Sequence, residues 1–447
     1  MTISEVGLDN SVAAAVAEFA GSQPYRGVAA PWVRDNPYRR PLDAGRLARL
    51  DLSTPLREDQ FAADESLMAN RFLMNVYESG ALFLPEDGLR GKERDFEAFY
   101  STQNRLLADR ARHDVEHYAL SFLDTSVRVN GDWDMAATEA HLEATITEAV
   151  TAERTILRAI EAAPDRRRAA ETLIAQMALD GLTEATAMSQ NLGGAFGPEQ
   201  SELFKIFIDE FGYGVFDAKH SKLFTDLCAS ADMSTRAHHY WFYYLPSSIA
   251  VNNYFYWVTQ NRTGFFRYIG AMALLEATFA PYFAQLAKTL RVVYGEDVDT
   301  RYCDEHAHID QHHGRMAVHD LLLPLARKHG PVATHGLIRG VEEIRLLGVL
   351  ADNDLLAQLQ WDPSTHTAEG DAARTGVVSD LGPASFFETR MAAGETTVSV
   401  LSGVVDLYRS PTGDPLQVKQ GEAVTVPSGR LYGLRAESDA SIAVSDR

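Results

Sequence analysis

A mainly α-helical protein that ends in a small all-β domain is the fold class this sequence predicts, and three observations predict it. From Asp134 to about Gln360, apolar residues recur at helical spacing, with breaks only near Pro164, Pro198, Asp232 to Thr235, Gly295 and Gly330. From about Val377 the period turns strand-like, in short runs such as T-T-V-S-V-L, V-V-D-L-Y and S-I-A-V between glycine and proline turns. The 447 residues are 46% hydrophobic and 10% aromatic, enough to fill packed cores in about three domains.

A net charge of −21 with no offsetting basic run argues against nucleic acid or an anionic membrane as partner. The first ten residues lack the basic and apolar regions of a signal peptide, and no run reaches the roughly 18 apolar residues of a spanning helix. A cytoplasmic location is expected. Cys228 and Cys303 are the two cysteines, without a C-x-x-C, so reduced, buried thiols are expected in place of a disulfide or a thiolate zinc site.

Residues 1–132 read as an N-terminal helical domain with proline-containing loops. One helix is expected over about Glu58 to Glu78 and another over about Arg94 to Ala111. The pair His113 and Glu116 has metal-ligand spacing but belongs more simply to a solvated helix face, so this domain is assigned to packing or oligomerisation. Residues 133–360 form the helical bundle, residues 361–376 a polar, glycine-containing linker, and residues 377–447 a small β-sandwich or barrel. The aromatic stretch H-H-Y-W-F-Y-Y-L-P-S-S-I-A-V-N-N-Y-F-Y-W at 238–257 is expected in the bundle core, with some of its rings lining a substrate pocket as the lesser alternative.

The chemistry concentrates in H-A-H-I-D-Q-H-H, residues 306–313. On a helix, positions 306, 310 and 313 fall within about 60° of one another, so His306, Asp310 and His313 share a face while His308 and His312 point elsewhere. Two imidazoles around a carboxylate suit a borderline divalent metal such as iron, manganese or zinc. One helix supplies too few ligands, and three other stretches offer more. Glu184 is the single interior acid, among Ile174, Met177, Leu182 and Ala185, of R-A-A-E-T-L-I-A-Q-M-A-L-D-G-L-T-E-A-T-A-M, read as one helix. Glu276 is surrounded by Met272, Leu274, Leu275 and Phe279, where an unpaired carboxylate would be costly unless it bound a metal or paired with Arg267 or Lys288. His220 follows Glu210 by ten residues and Asp217 by three. On an ideal helix Asp217 faces the same way as His220 and Glu210 lies about 80° round, with Gly212 and Gly214 able to distort that register. Spacing leaves the two acids in competition.

Glu184, Glu210, Glu276 and Asp310 with His220, His306 and His313 carry a charge of about −4, which balances two divalent cations. A ferritin-like di-iron bundle needs two Glu-x-x-His motifs, and Glu305-x-x-His308 is the single suitable one here. The set instead resembles the heme-oxygenase-like di-iron oxidases, in particular three-domain N-oxygenases with a helical dimerisation region, a di-iron bundle and a cupin. The resemblance covers nearly the whole chain. It implies Glu184, Glu210, His220, Glu276, His306, Asp310 and His313 as iron ligands, with Glu210 the additional carboxylate of N-oxygenating members and Asp217 in a supporting position behind the ligands. It further implies two iron ions, dioxygen, an external electron donor, a small nitrogen-containing substrate and a homodimer. The expected reaction is oxidation of an amino or guanidine nitrogen in natural-product (antibiotic) biosynthesis, 2-aminoimidazole to 2-nitroimidazole being preferred. Hydroxylation of arginine or another guanidine, oxidative carbon–carbon cleavage or desaturation, and a non-enzymatic iron or small-ligand sensor are the alternatives. The C-terminal domain departs from the family pattern. Its second cupin motif runs from Gly421 through Pro427 and Gly429, yet Tyr432 stands where a metal histidine belongs, and no histidine occurs from Val377 to Arg447. A degenerate, metal-free cupin is expected.

Overall fold

The structure, a computed structural model, describes residues 6–27, 36–368, 376–383 and 386–446. These residues group into two compact units, one drawn from Met1–Phe122, His238–Ala250 and Ala357–Arg447, the other from Leu123–Ala237 and Val251–Leu356.

In the first unit the main helices are α1 (Val6–Ala20), α2 (Asp64–Glu78) and α3 (Thr102–Leu120). The helix expected from Glu58 begins six residues later. Arg57 and Gln60 close a separate turn, the Arg57 amide donating to Gln60 Oε1 at 3.1 Å. The helix expected from Arg94 to Ala111 is two, because the Ser101 side chain accepts from the Asn104 amide at 3.1 Å and caps a new start after Glu93–Phe99.

Nine antiparallel strands are described in the same unit: β1 (Thr365–Thr367), β2 (Val377–Leu381), β3 (Phe386–Met391), β4 (Thr396–Ser402), β5 (Val404–Tyr408), β6 (Leu416–Lys419), β7 (Glu422–Val426), β8 (Leu431–Ala436) and β9 (Ala440–Asp446). They form a five-stranded sheet, β1-β7-β4-β9-β2, and a four-stranded sheet, β3-β8-β5-β6. The inward residues of the alternating strands, Val398, Val400, Val405, Leu407, Val424, Leu434 and Ile442 among them, make one apolar core. Tyr432 is in that core at 2% exposure, so the motif position holds a packed phenol. The expected strand runs are all present. The expected linker is not wholly a linker, since β1 lies inside it and pairs with β7, Thr365 opposite Val424; its residues 369–375 lie outside the described residues.

The N-terminal helices and the C-terminal strands, expected as separate domains, share this unit through buried charges. Arg71 donates to Glu388 Oε1 at 2.8 Å and to Thr389 Oγ1 at 2.9 Å, and the Met391 amide donates to Asp64 Oδ1 at 2.9 Å. The first part of the aromatic stretch, His238–Ala250, belongs here and not to the bundle, whereas its remainder from Val251 lies in the second unit as expected. Trp241 Nε1 donates to the Pro41 carbonyl at 2.9 Å, and Phe242 packs edge-on against Phe386 at 5.1 Å.

The second unit is the helical bundle. Its site-bearing helices are α4 (Arg166–Gly181), α5 (Pro198–Glu210), α6 (His220–Ser230), α7 (Phe265–Tyr294) and α8 (Arg301–Arg315), and most of α9 (Pro331–Gln360) packs with them. Helix α8 continues into a π-helical turn, Met316–Leu322. Two expected helices are interrupted at the positions that matter for chemistry. Helix α4 ends at Gly181, and Glu184 stands on the following turn beside Ala185, whose φ is +62°. The helix expected through Glu210 and His220 stops at Glu210, where Gly212, Tyr213 and Gly214 all take positive φ. A side chain at Gly212 would put its Cβ 2.5 Å from the Ala218 carbonyl carbon, so this reversal requires glycine. Cys228 and Cys303 are buried and unpaired with one another. Among the described residues no helix is long and apolar enough to cross a membrane.

Candidate metal centre

Helix α8 buries Tyr302, Cys303, His306, Asp310, His313 and Gly314, and leaves His308 and His312 exposed. The three-residue face expected from the spacing therefore points inward. It meets α7 closely at Gly314, where an added Cβ would lie 2.6 Å from the Ala277 Cα. That approach brings His313 Nδ1 to 3.2 Å from Glu276 Oε2. Arg267, one rival partner for Glu276, is occupied elsewhere, donating to Glu343 at 2.8 and 2.6 Å.

The broken helix after Glu210 turns the chain back so that His220 Nδ1 lies 2.7 Å from Glu210 Oε2. Glu210 Oε1 is 3.6 Å from His313 Nδ1. The turn after α4 places Glu184 Oε1 3.2 Å from His306 Nε2. Two groups of donor atoms result, each within 4.8 Å: Glu184, Glu210, His220 and His306, and Glu210, Glu276 and His313. Asp310 adjoins the second group, its Oδ1 3.9 Å from His313 Nδ1. All seven expected donors are thus brought together, and Glu210 belongs to both groups. Asp217 is not brought in. It is exposed on the short turn Phe216–Ala218, because the chain reversal that delivers Glu210 takes Asp217 off the helical face it would have shared with His220.

Electrostatics fit a cation at this place. Glu184 Oε2 and Asp310 Oδ2 are buried without a hydrogen-bond partner among the described residues, a costly state unless an ion takes their lone pairs. Burial, then the charges of Glu276 and Glu210, push the Asp310 carboxyl up to about 8. Burial also raises Glu210, against the pull of His220. For His306, burial opposes charge, but the contact with Glu184 and the carboxylates around it push the imidazole up to about 10. His313 rises against its burial to about 9 through Glu276 and Glu210. Crowded carboxylates holding protons that a metal would displace are what a cluster of anionic donors does before an ion enters.

Three site residues were not foreseen. Tyr302 donates from its hydroxyl to Glu184 Oε1 at 3.1 Å, while its backbone carbonyl accepts from His306 Nδ1 at 2.8 Å. Asp209 Oδ2 lies 3.1 Å from His313 Nε2. Asp180, on the last turn of α4, is exposed, and desolvation followed by the charges of Glu184 and Glu210 raises its carboxyl. Its spacing four residues before Glu184 was a usable signal; the contacts of Tyr302 and Asp209 are tertiary and left none.

The model of a family described as iron-containing redox enzymes matches residues 171–348, the span that holds every donor of the centre. Over 419 residues the chain is 38% identical to the nitrosourea synthase of Streptomyces achromogenes subsp. streptozoticus, covering 91% of this chain and 88% of that protein. The chain belongs to the heme-oxygenase-like iron-containing redox enzymes. Membership in this family makes iron the metal that the cluster is to be read against, and accounts for a donor set of carboxylates and imidazoles without thiolate. The observed fold class, mainly α-helical with β strands at the C-terminal end, is the one expected from the sequence.

Proposed function

We propose that this protein is a di-iron N-oxygenase acting on an amino or guanidine nitrogen of a small substrate, with 2-aminoimidazole, converted to 2-nitroimidazole, as the preferred candidate. The observation that carries the reading is Glu210, a buried carboxylate with one oxygen toward His220 and the other toward His313, so that a carboxylate beyond the basic set serves both halves of the centre. Glu184, Glu210, His220 and His306 would hold one iron, and Glu210, Glu276, Asp310 and His313 the other. Two bound iron ions, kept ferrous by an external electron donor, would supply the reduction of dioxygen that oxidation at nitrogen needs.

The chain's own groups do the rest. Tyr302 Oη and the Tyr302 carbonyl hold Glu184 and His306 in place, and the rings of Phe283 and Tyr302, each 4.4 Å from the His306 ring, exclude water from that side. The absence of histidine from residues 377–447 and the packed Tyr432 support an oxidation completed in the bundle, without a second iron step in the β domain. The similarity to a nitrosourea synthase supports nitrogen as the atom oxidised.

The test is to load the protein anaerobically with ferrous iron, add reductant and oxygen, and search by mass spectrometry for products of 2-aminoimidazole, arginine and a guanidine panel. An N-oxygenated product is expected. A carbon-oxidised or decarboxylated product without any N-oxygenated one would overturn the reading in favour of cleavage chemistry.

A further inference from the structure

His313 is held at both ring nitrogens. Nδ1 faces the carboxylates of the centre, Glu276 at 3.2 Å and Glu210 at 3.6 Å. Nε2 points away, to Asp209 Oδ2 at 3.1 Å. Asp209 is outside both donor groups, and its side chain is 13% exposed. The same Oδ2 accepts from Tyr213 Oη at 3.3 Å, and Tyr213 stands in the left-handed turn that separates Glu210 from His220.

An imidazole that gives Nδ1 to a cation carries its remaining proton on Nε2. An acceptor there selects the tautomer, fixes the ring plane and makes Nδ1 a stronger donor. We infer that Asp209 is a positioning residue for the metal centre: it accepts the Nε2–H bond of His313 and so holds Nδ1 toward Glu276 and Glu210. This rests on the metal-centre reading above. The adjacent acids Asp209 and Glu210 then divide the work at the end of α5, Glu210 entering the centre and Asp209 bracing it from behind. His306 needs no such side chain, because its Nδ1 is served by the Tyr302 carbonyl one helical turn earlier. The tautomer of His313 therefore depends on one replaceable group.

Cobalt(II) is the probe, titrated into the full-length apo protein against a chelator of known affinity while ligand-field absorption is recorded. Compared with wild type, Asp209→Ala is expected to weaken cobalt binding about 10- to 100-fold and to alter the absorption. Asp209→Asn keeps an oxygen that accepts from Nε2–H and is expected to restore most of both. Glu202→Ala, on the same helix and paired with exposed Lys205 at 2.8 Å, is expected to match wild type. Wild-type affinity and spectrum in Asp209→Ala would overturn the inference, and so would an Asn variant as impaired as Ala. Failure of wild type itself to bind cobalt would bring down the metal-centre reading and the inference with it, a result distinct from either.

Discussion

Metal binding at this centre is expected to be strongly pH-dependent, and the structure sets the size of the effect. The perturbation is the entry of divalent ions among groups that hold protons: His306 at about 10, His313 at about 9 and Asp310 at about 8. Ordinary titration of three such groups leaves about three protons bound at pH 7 and about one and a half at pH 9, all of which coordination must displace. His220 and Glu210, also raised, add in the same direction. The overall association constant for the ion pair should therefore climb roughly 1000-fold per pH unit near pH 7, and more gently near pH 9. The sign for stability is opposite in the apo protein. Groups whose folded values are raised stabilise it fully below their unfolded values, near 6.5 for histidine and about 4 for aspartate, and that stability is lost as pH rises through 8 to 10. The gain in melting temperature on adding metal should thus widen between pH 6.5 and 9. Anaerobic calorimetry with manganese(II), in buffers of different ionisation heat, counts the protons directly. Heats independent of buffer, or affinity flat from pH 6.5 to 8, would refute the assignment of these groups as displaced ligands.

Other expectations follow from single contacts. His306→Ala or Asp310→Ala should bind fewer than two irons per chain by metal analysis after anaerobic loading, since each removes a donor; two firmly held irons would contradict the ligand set. Gly314→Ala should push α8 off α7, because its Cβ would lie 2.6 Å from the Ala277 Cα; overpacking of this kind costs about 1–3 kcal/mol, read as a lowered melting temperature together with reduced metal content. Arg71→Ala would remove the bonds to Glu388, which is 15% exposed and keeps Arg46 at 4.0 Å, and to Thr389, and should destabilise by roughly 1–3 kcal/mol, measured by denaturant unfolding. A variant lacking both His306 and His313 should lose tight transition-metal binding, because His220 is then the one imidazole left in the two donor groups; a firmly held stoichiometric ion would contradict the ligand set.

The inward face of α8 was legible because its information is local: His306, Asp310 and His313 keep a helical register, and burial follows that register. Glu276 was legible for a related reason, an acid among apolar neighbours. The strands were legible from their alternation, whereas β1 was hidden in a polar segment that pairs with β7 only through tertiary folding. Glu210 could not be chosen over Asp217 by spacing, since ideal-helix geometry favours Asp217, and it is the left-handed run at Gly212, Tyr213 and Gly214 that brings Glu210 to His220 instead. Glu184 was found, but on a turn and not in the helix that periodicity gave it. The sharing of one unit by the first helices and the last strands rests on Arg71, Glu388 and Asp64, residues over 300 positions apart, and nothing in a local pattern reports such a pairing.

The shared position of Glu210 bears on how the protein would exist as a population. Its two oxygens face different histidines, so whichever ion arrives first orients the carboxylate that the second requires. If both donor groups hold iron, loading would be positively cooperative wherever this orienting effect exceeds the repulsion between the two cations, and a sample that assays at one ion per chain would then be chiefly a mixture of empty and doubly filled protein. Partial activity in such a sample would scale with the filled fraction and leave the apparent affinity for substrate unchanged.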